Sequence, residues 1–176
     1  MEYFMISQDR NLDEHLISFE GLKSATRTLE ITTDQSQELK DLTVVFVHGE
    51  NKIVPDFIDR PVVLVSDELK KVMEMHDDNI MFKCAVLTNV VEETQLTYWL
   101  ILVDRLDCLS SLSEYDPWGR PTRIVIDKHK AAGHAVFRIA GIDDKRLIIN
   151  LDVTESVLRR ELWGMTLESI EIGEEE

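Results

Sequence analysis

Residues 61–87 read PVVLVSDELKKVMEMHDDNIMFKCAVL. Pro61 to Val65 is a short apolar run of the kind that forms a buried strand. Ser66-Asp67-Glu68-Leu69 then supplies a helix N-cap with acids in the first turn, where carboxylates oppose the positive end of the helix. Leu69, Val72, Met73 and Met75 follow at near-helical spacing. Asp77-Asp78-Asn79 ends the helix, and Ile80 to Leu87 returns to a strand pattern. One strand–cap–helix–turn–strand unit therefore occupies about 61–87.

The end of the chain repeats this unit at about 146–172, RLIINLDVTESVLRRELWGMTLESIEI. Asn150 falls where Ser66 stands, Asp152 on Glu68, Val153 on Leu69 and Val157 on Met73. One extra residue in the second turn places Leu167 near Phe82. The helix is expected to run to Leu162, closed by Trp163-Gly164. The predicted fold is α+β: a mixed β-sheet packed by two similar helices, in one domain.

Between and before these units the pattern is mostly β. Thr43 to Val47 is β-branched and aromatic, which reads as a strand, with a turn at 48–51. Thr97 to Val103 reads as a strand buried on both faces. Leu106 to Tyr115 is a serine-rich loop or short helical turn. Asp116-Pro117-Trp118-Gly119-Arg120-Pro121 is a strong turn. Thr122 to Asp127 and Ala135 to Ile139 read as strands, Gly141 to Lys145 as a turn. Residues 1–40 are the least regular, with Glu2 to Ser7 expected as a short edge strand. The expected division is an irregular segment at 1–40 and an α+β domain at 41–176.

The chain has 176 residues, 34 acidic and 19 basic, for a net charge of −15. That length fits one domain and a core that needs neither disulfide nor metal. Nucleic-acid affinity rests on Lys and Arg neutralising phosphates, so this balance argues against such a partner. The N-terminus lacks the basic and apolar regions of a secretory signal. The longest mostly apolar run, Tyr98 to Val103, falls far short of the ~20 residues a membrane helix needs. Cys84 and Cys108 read as free thiols rather than a disulfide. The expected setting is the cytoplasm, without membrane association.

Residues with chemical potential are scattered. His15, His48, His76, His129 and His134 lack the close Cys/His pairing of zinc sites, so no metal and no cofactor is expected. Asp127 and His129 share a strand face at most. Cys84 reads as a core residue, and nothing in sequence near Cys108 lowers its pKa. No phosphate loop, nucleophile elbow or calcium loop occurs. Asp77 and Asp78, Glu92 and Glu93, and Asp143 and Asp144 are acid pairs in predicted turns, suited to steering a basic partner. Trp118 either folds back on the core or stands out as an apolar anchor for that partner.

The order of segments carries a resemblance. Pro55-Asp56-Phe57 leads to Leu64-Val65-Ser66-Asp67-Glu68-Leu69-Lys70, then Tyr98-Trp99-Leu100-Ile101 and Asp104-Arg105-Leu106-Asp107-Cys108-Leu109. Ile124 to Asp127, Gly133 to Arg138 and the final helix–strand unit follow. Over residues 40 to 172 this resembles the immunity proteins of the myxobacterial type found beside bacterial polymorphic toxins. Asn150 stands where that family tends to have serine, and Val103-Asp104 where it has Asn-Pro. The resemblance implies a non-enzymatic cytoplasmic antitoxin that binds and neutralises a cognate toxin domain, expected to be basic. Two other classes stay open: an enzyme with a dispersed site such as His134, Asp127 and Arg138, and a structural subunit that oligomerises. The oligomeric state is not legible in the sequence.

Overall fold

Ser66 and Asn150 cap their helices as the spacing predicts. Ser66 Oγ accepts the Leu69 N–H at 3.2 Å, and Asn150 Oδ1 accepts the Val153 N–H at 3.0 Å. The computed structural model describes residues 2–16, 18–19, 31–50, 52–143 and 146–173. Its strands begin with β1 (Tyr3–Gln8), β2 (Ser18–Phe19), β3 (Leu42–His48), β4 (Phe57–Ile58) and β5 (Leu64–Ser66). Helix α1 (Asp67–His76) leads to β6 (Met81–Asn89), β7 (Thr94–Leu102), β8 (Arg105–Leu106) and β9 (Glu114–Tyr115). β10 (Pro121–Arg123), β11 (Val125–Asp127), α2 (Lys128–Ala131), β12 (Val136–Ile139) and β13 (Leu147–Asn150) follow. The chain closes with α3 (Leu151–Arg159) and β14 (Met165–Gly173).

The α+β class is as expected, but among the described residues the strands divide into two six-stranded sheets and a β9–β10 hairpin. One sheet runs β4-β5-β7-β6-β3-β2, the other β8-β12-β13-β1-β14-β11. The two share one plan. The strand before each helix and the strand after it flank a central strand that is antiparallel to both. That strand is β7 in one sheet and β1 in the other. Beyond the post-helix strand lies a parallel neighbour, β3 beside β6 and β11 beside β14.

The equivalence extends to register. Ser66 lies opposite Tyr98, and Asn150 opposite Tyr3. Phe82 faces Ile101 where Leu167 faces Ile6. The Ser66 N–H bonds to Asp56 O at 2.9 Å, and the Asn150 N–H to Ala135 O at 2.9 Å. β1 (Tyr3–Gln8) thus supplies the strand that completes the C-terminal half. The edge strand expected at Glu2 to Ser7 is instead the interior strand β1. Its two faces explain why. Phe4 and Ile6 join the core beneath the helices, while Tyr3 and Met5 join a second cluster on the far side of the sheet.

Both helices meet in the shared core between the sheets. Leu69, Val72 and Met73 of α1 and Val153 and Val157 of α3 lie there with Val65, Ile101, Ile6 and Ile149. A fully buried side chain of this kind contributes about 1.5–3 kcal/mol. α3 stops at Arg159, three residues before the expected end. The N–H groups of Arg160 and Leu162 both turn back to Val157 O, and Glu161 enters the left-handed region at φ 54°. Gly164 follows at φ 81°, where a Cβ would stand 2.1 Å from Pro55 Cβ.

Polar contacts lock the halves at equivalent places. Asp59, after β4, accepts the Gln8 N–H of β1 at 3.1 Å. Arg138 of β12, at the equivalent position, donates to Val103 O at 3.1 Å. His76 Nε2 and Ser156 Oγ join the two helices at 2.9 Å.

Candidate protein-binding surface

β3 alternates two kinds of environment along seven residues. Val45 and Val47 face a cluster with Leu87, Tyr98 and Leu102. Leu42, Val44 and Phe46 point to the opposite face and are exposed by 52%, 50% and 47%. Their partners in register on β6 are Cys84, Val86 and Thr88, all half-buried. α1 covers only the other end of this sheet face. There, Lys70 Nζ sits over the rings of Phe82 and Trp99, 5.3 and 4.5 Å from their centroids. The exposed end is a strip of aliphatic and aromatic side chains on paired strands.

The β6–β7 hairpin extends this strip. Asn89, 4% exposed, fixes its tip. Asn89 Oδ1 accepts the N–H groups of Val91 and Glu92 at 3.1 and 3.2 Å, and its Nδ2 donates to Gly49 O at 3.0 Å. The tip residues are therefore pinned to the turn that follows β3. Val90 and Val91 are 66% and 67% exposed, and Glu92 and Glu93 are exposed beside them. Asp41, at the other end of β3, pairs with Lys83 at 2.6 Å, and that lysine holds its carboxyl below the usual carboxylate range. An apolar strip with carboxylates at its ends has the anatomy of a protein interface: a dehydrating centre and a polar rim.

The other half serves as an internal comparison. Arg123, Ser169 and Glu171 stand where Leu42, Cys84 and Val86 stand here. Arg123 bonds Glu171 through Nε at 3.0 Å and pairs with Glu114 at 3.3 Å. The equivalent ground is thus ionic in one half and apolar in the other.

The acids expected in partner-binding turns do not form one group. Asp78, Glu92, Glu93 and Asp143 are exposed, on three different connections. Asp144 lies outside the described residues. Asp77 is a correction: it is 8% exposed and turned inward. Asp77 Oδ2 accepts the N–H groups of Ala135 and Val136 at 3.3 and 3.2 Å, and Oδ1 accepts Asn79 N and Nδ2 at 3.0 and 3.1 Å. Its carboxylate ties the end of α1 to β12, so it is unavailable to a rim.

Trp118 takes the exposed alternative. It stands 81% exposed at the tip of the β9–β10 hairpin. Asp116 Oδ1 shapes that turn by accepting the N–H groups of Trp118 and Arg120 at 2.9 and 2.8 Å, and Gly119 supplies φ 77°.

The dispersed residues considered for catalysis have separate tasks. Asp127 caps α2 through the N–H groups of His129 and Lys130 at 2.8 and 3.2 Å. Arg138 is 1% exposed and reaches Val103 O. His134 lines a cleft of about 280 Å³ between the halves, with Asp77, Asp104 and Arg105 at its polar side and Ile80, Val103 and Phe137 at its apolar side. Within it, Arg105 Nη1 donates to the carbonyls of Ile139 and Ile142, each at 2.7 Å. Asp104 accepts from Thr33 Oγ1 at 2.6 Å. Asp77 in this cleft ties α1 to β12, and Arg105 holds the carbonyls at the end of β12.

Both cysteines are free. Burial, then the neighbouring Asp107 charge, pushes the Cys108 thiol up to about 11. Among the described residues, no three His, Cys, Asp or Glu side chains gather as a metal-binding group, and no helix is long and apolar enough to cross a membrane. The apolar strip was not singled out from sequence. Leu42, Val44 and Phe46 alternate with Val45 and Val47, so β3 carries the pattern of a strand buried on both faces. Among the described residues, α1 packs over the other end of this face and Leu42, Val44 and Phe46 stay exposed. No protein-family model matches the chain, and no curated protein matches it.

Proposed function

We propose that this chain is a cytoplasmic immunity protein that binds a toxin domain and neutralises it by occlusion, without chemistry of its own. The observation that carries the reading is the exposed strip of Leu42, Val44 and Phe46 continued by Val90 and Val91, with Glu92 and Glu93 at its rim. Large exposed apolar side chains on one strand and the neighbouring hairpin suit protein recognition. The net charge of −15 suits a basic partner and disfavours nucleic acid. The order of short segments shared with the myxobacterial-type immunity proteins supports the same reading. On this reading the partner is a basic toxin domain encoded beside the chain, the strip supplies most of the affinity, and the exposed acids steer encounter.

The test is surface plasmon resonance against the toxin domain encoded by the neighbouring gene. Glu92→Lys with Glu93→Lys should slow association several-fold at low salt, with the difference shrinking as salt shortens the Debye length. Phe46→Ala should speed dissociation with little salt dependence. Failure of the neighbouring domain to bind, or failure of the chain to protect cells that express it, refutes the reading.

A further inference from the structure

Among the described residues, β9 and β10 form a two-stranded ribbon of their own, with Tyr115 opposite Pro121 and Glu114 opposite Arg123. Both ends of the ribbon are fastened to the C-terminal half. Ser113, just before β9, accepts the Val125 N–H through Oγ at 3.0 Å, and its hydroxyl donates to Val125 O at 3.1 Å. Arg123, at the end of β10, bonds Glu171 of β14 through Nε at 3.0 Å and pairs with Glu114 across the ribbon at 3.3 Å. Arg123 and Glu171 are the register equivalents of Leu42 and Val86. The ribbon therefore rises from the ground that corresponds to the apolar strip of the other half.

The tip of the ribbon is closed on itself. Asp116 Oδ1 accepts the N–H groups of Trp118 and Arg120 at 2.9 and 2.8 Å. The Asp116 N–H bonds to Arg120 O and the Gly119 N–H to Asp116 O, each at 2.9 Å. Pro117 has no N–H. Every backbone N–H from Asp116 to Arg120 is thus bonded within the turn. What the turn presents outward is the Trp118 side chain, 81% exposed. Burying such a tip in a dry pocket strands no backbone donor, so the usual desolvation cost of a loop is avoided. An indole brings about 150–250 Å² of surface to such a contact.

We infer that Trp118 enters an apolar pocket of the partner as an anchor, which makes the β9–β10 hairpin a second contact, separate from the strip. This rests on the protein-binding reading above and adds a site on the other half. A convex tip fits a concave receptor, here a pocket with apolar walls and one acceptor for the indole N–H. Tryptophan is the residue type most at home in such a hot spot, where weaker neighbours keep water out. Tyr115, 47% exposed behind the tip, is such a neighbour. The occupant is a basic protein. Around the tip Glu114, Asp116 and Glu171 outnumber Arg120 and Arg123, and the whole chain carries −15. That charge opposes the anionic surface of a bilayer, and it opposes a second copy of the chain.

The test uses the full chain and the toxin domain encoded by the neighbouring gene. Trp118→Ala should weaken binding about thirtyfold in surface plasmon resonance, through faster dissociation and with the unfolding midpoint unchanged. Phe46→Ala should weaken it independently, so that the double variant loses the product of the two fold-changes. The chain is also labelled with 5-fluorotryptophan at Trp99, Trp118 and Trp163, and the Trp118 fluorine resonance is assigned by its loss in Trp118→Phe. That resonance should move when the toxin domain binds. Binding by Trp118→Ala within twofold of the parent, or a Trp118 resonance that stays in place in the complex, overturns the anchor while the protein-binding reading stands. A double variant no weaker than the poorer single variant makes strip and hairpin one contact and overturns the separate site. A Trp118 resonance moved by phosphatidylglycerol vesicles, or by self-association seen in sedimentation, and not by the toxin domain gives the tip another occupant and overturns the inference too. No binding by the toxin domain overturns the reading beneath it, and the inference with it.

Discussion

Asp77→Ala and Asp78→Ala should behave as opposites although the residues are adjacent. Asp77 is turned inward and accepts four N–H donors: Asn79 N and Nδ2, Ala135 N and Val136 N. Ala135 and Val136 are 5% and 4% exposed, so truncation strands two buried N–H groups. Each stranded group costs about 1–3 kcal/mol. The cleft between the halves adjoins this point and lets water reach part of it, so the lower end applies to each. Asp77→Ala should therefore cost about 2–3 kcal/mol, which for a chain of this size lowers Tm by roughly 5–10 °C. The loss also loosens the tie between α1 and β12, the seam that holds one half to the other. Asp78 is exposed, and Asp78→Ala should stay within about 0.5 kcal/mol of the parent. Urea unfolding followed by circular dichroism measures both. An Asp77→Ala variant as stable as the parent would mean that the two N–H groups find other acceptors, and the inward assignment of Asp77 would fail.

Three further outcomes are expected. Ser66→Ala and Asn150→Ala should each cost about 1 kcal/mol in urea unfolding, since each removes the side-chain acceptor at a helix start; equal and zero effects would deny the caps. Cys108 should resist thiol reagents in the native state, and because its folded pKa of about 11 lies above the ordinary 9.0, stability that is whole below pH 9 should fall between pH 9 and 11. Thermal unfolding across that range checks it, with Cys108→Ala flattening the fall. Trp118→Ala should leave stability within about 0.5 kcal/mol and remove the tryptophan emission most open to iodide quenching, as befits a side chain 81% exposed.

The two helices were legible because their signals are local. An N-cap acts on the backbone two or three residues ahead, and Leu69, Val72 and Met73 mark one helix face by spacing alone. The turn at Asp116 to Arg120 was legible for the same reason. β1 was partly legible: Tyr3, Phe4, Met5 and Ile6 put large side chains on both faces, the mark of an interior strand, but their place at the start of the chain suggested an edge. Asp77 was not legible, because Asp77-Asp78-Asn79 has the composition of a solvated turn and its partners, Ala135 and Val136, lie far along the chain. The apolar strip was hidden by the same pattern that marks a doubly buried strand.

By itself, then, the sequence determined the α+β class, both helix starts, the repeated strand–cap–helix–turn–strand unit and the acidic surface. Each depends on the side chains within a few residues or on composition summed over the whole chain. Tertiary structure alone decided that the strands form two sheets on one plan, that β1 completes the second of them, and that Asp77 turns inward while Asp78 stays out. It also decided that α1 packs over the other end of the β3 face and that Leu42, Val44 and Phe46 stay exposed. These depend on which strand lies beside which, and strand pairing joins residues more than a hundred apart through backbone hydrogen bonds that any side chain permits. Tyr3 beside Asn150 and Ile170 is the plainest case.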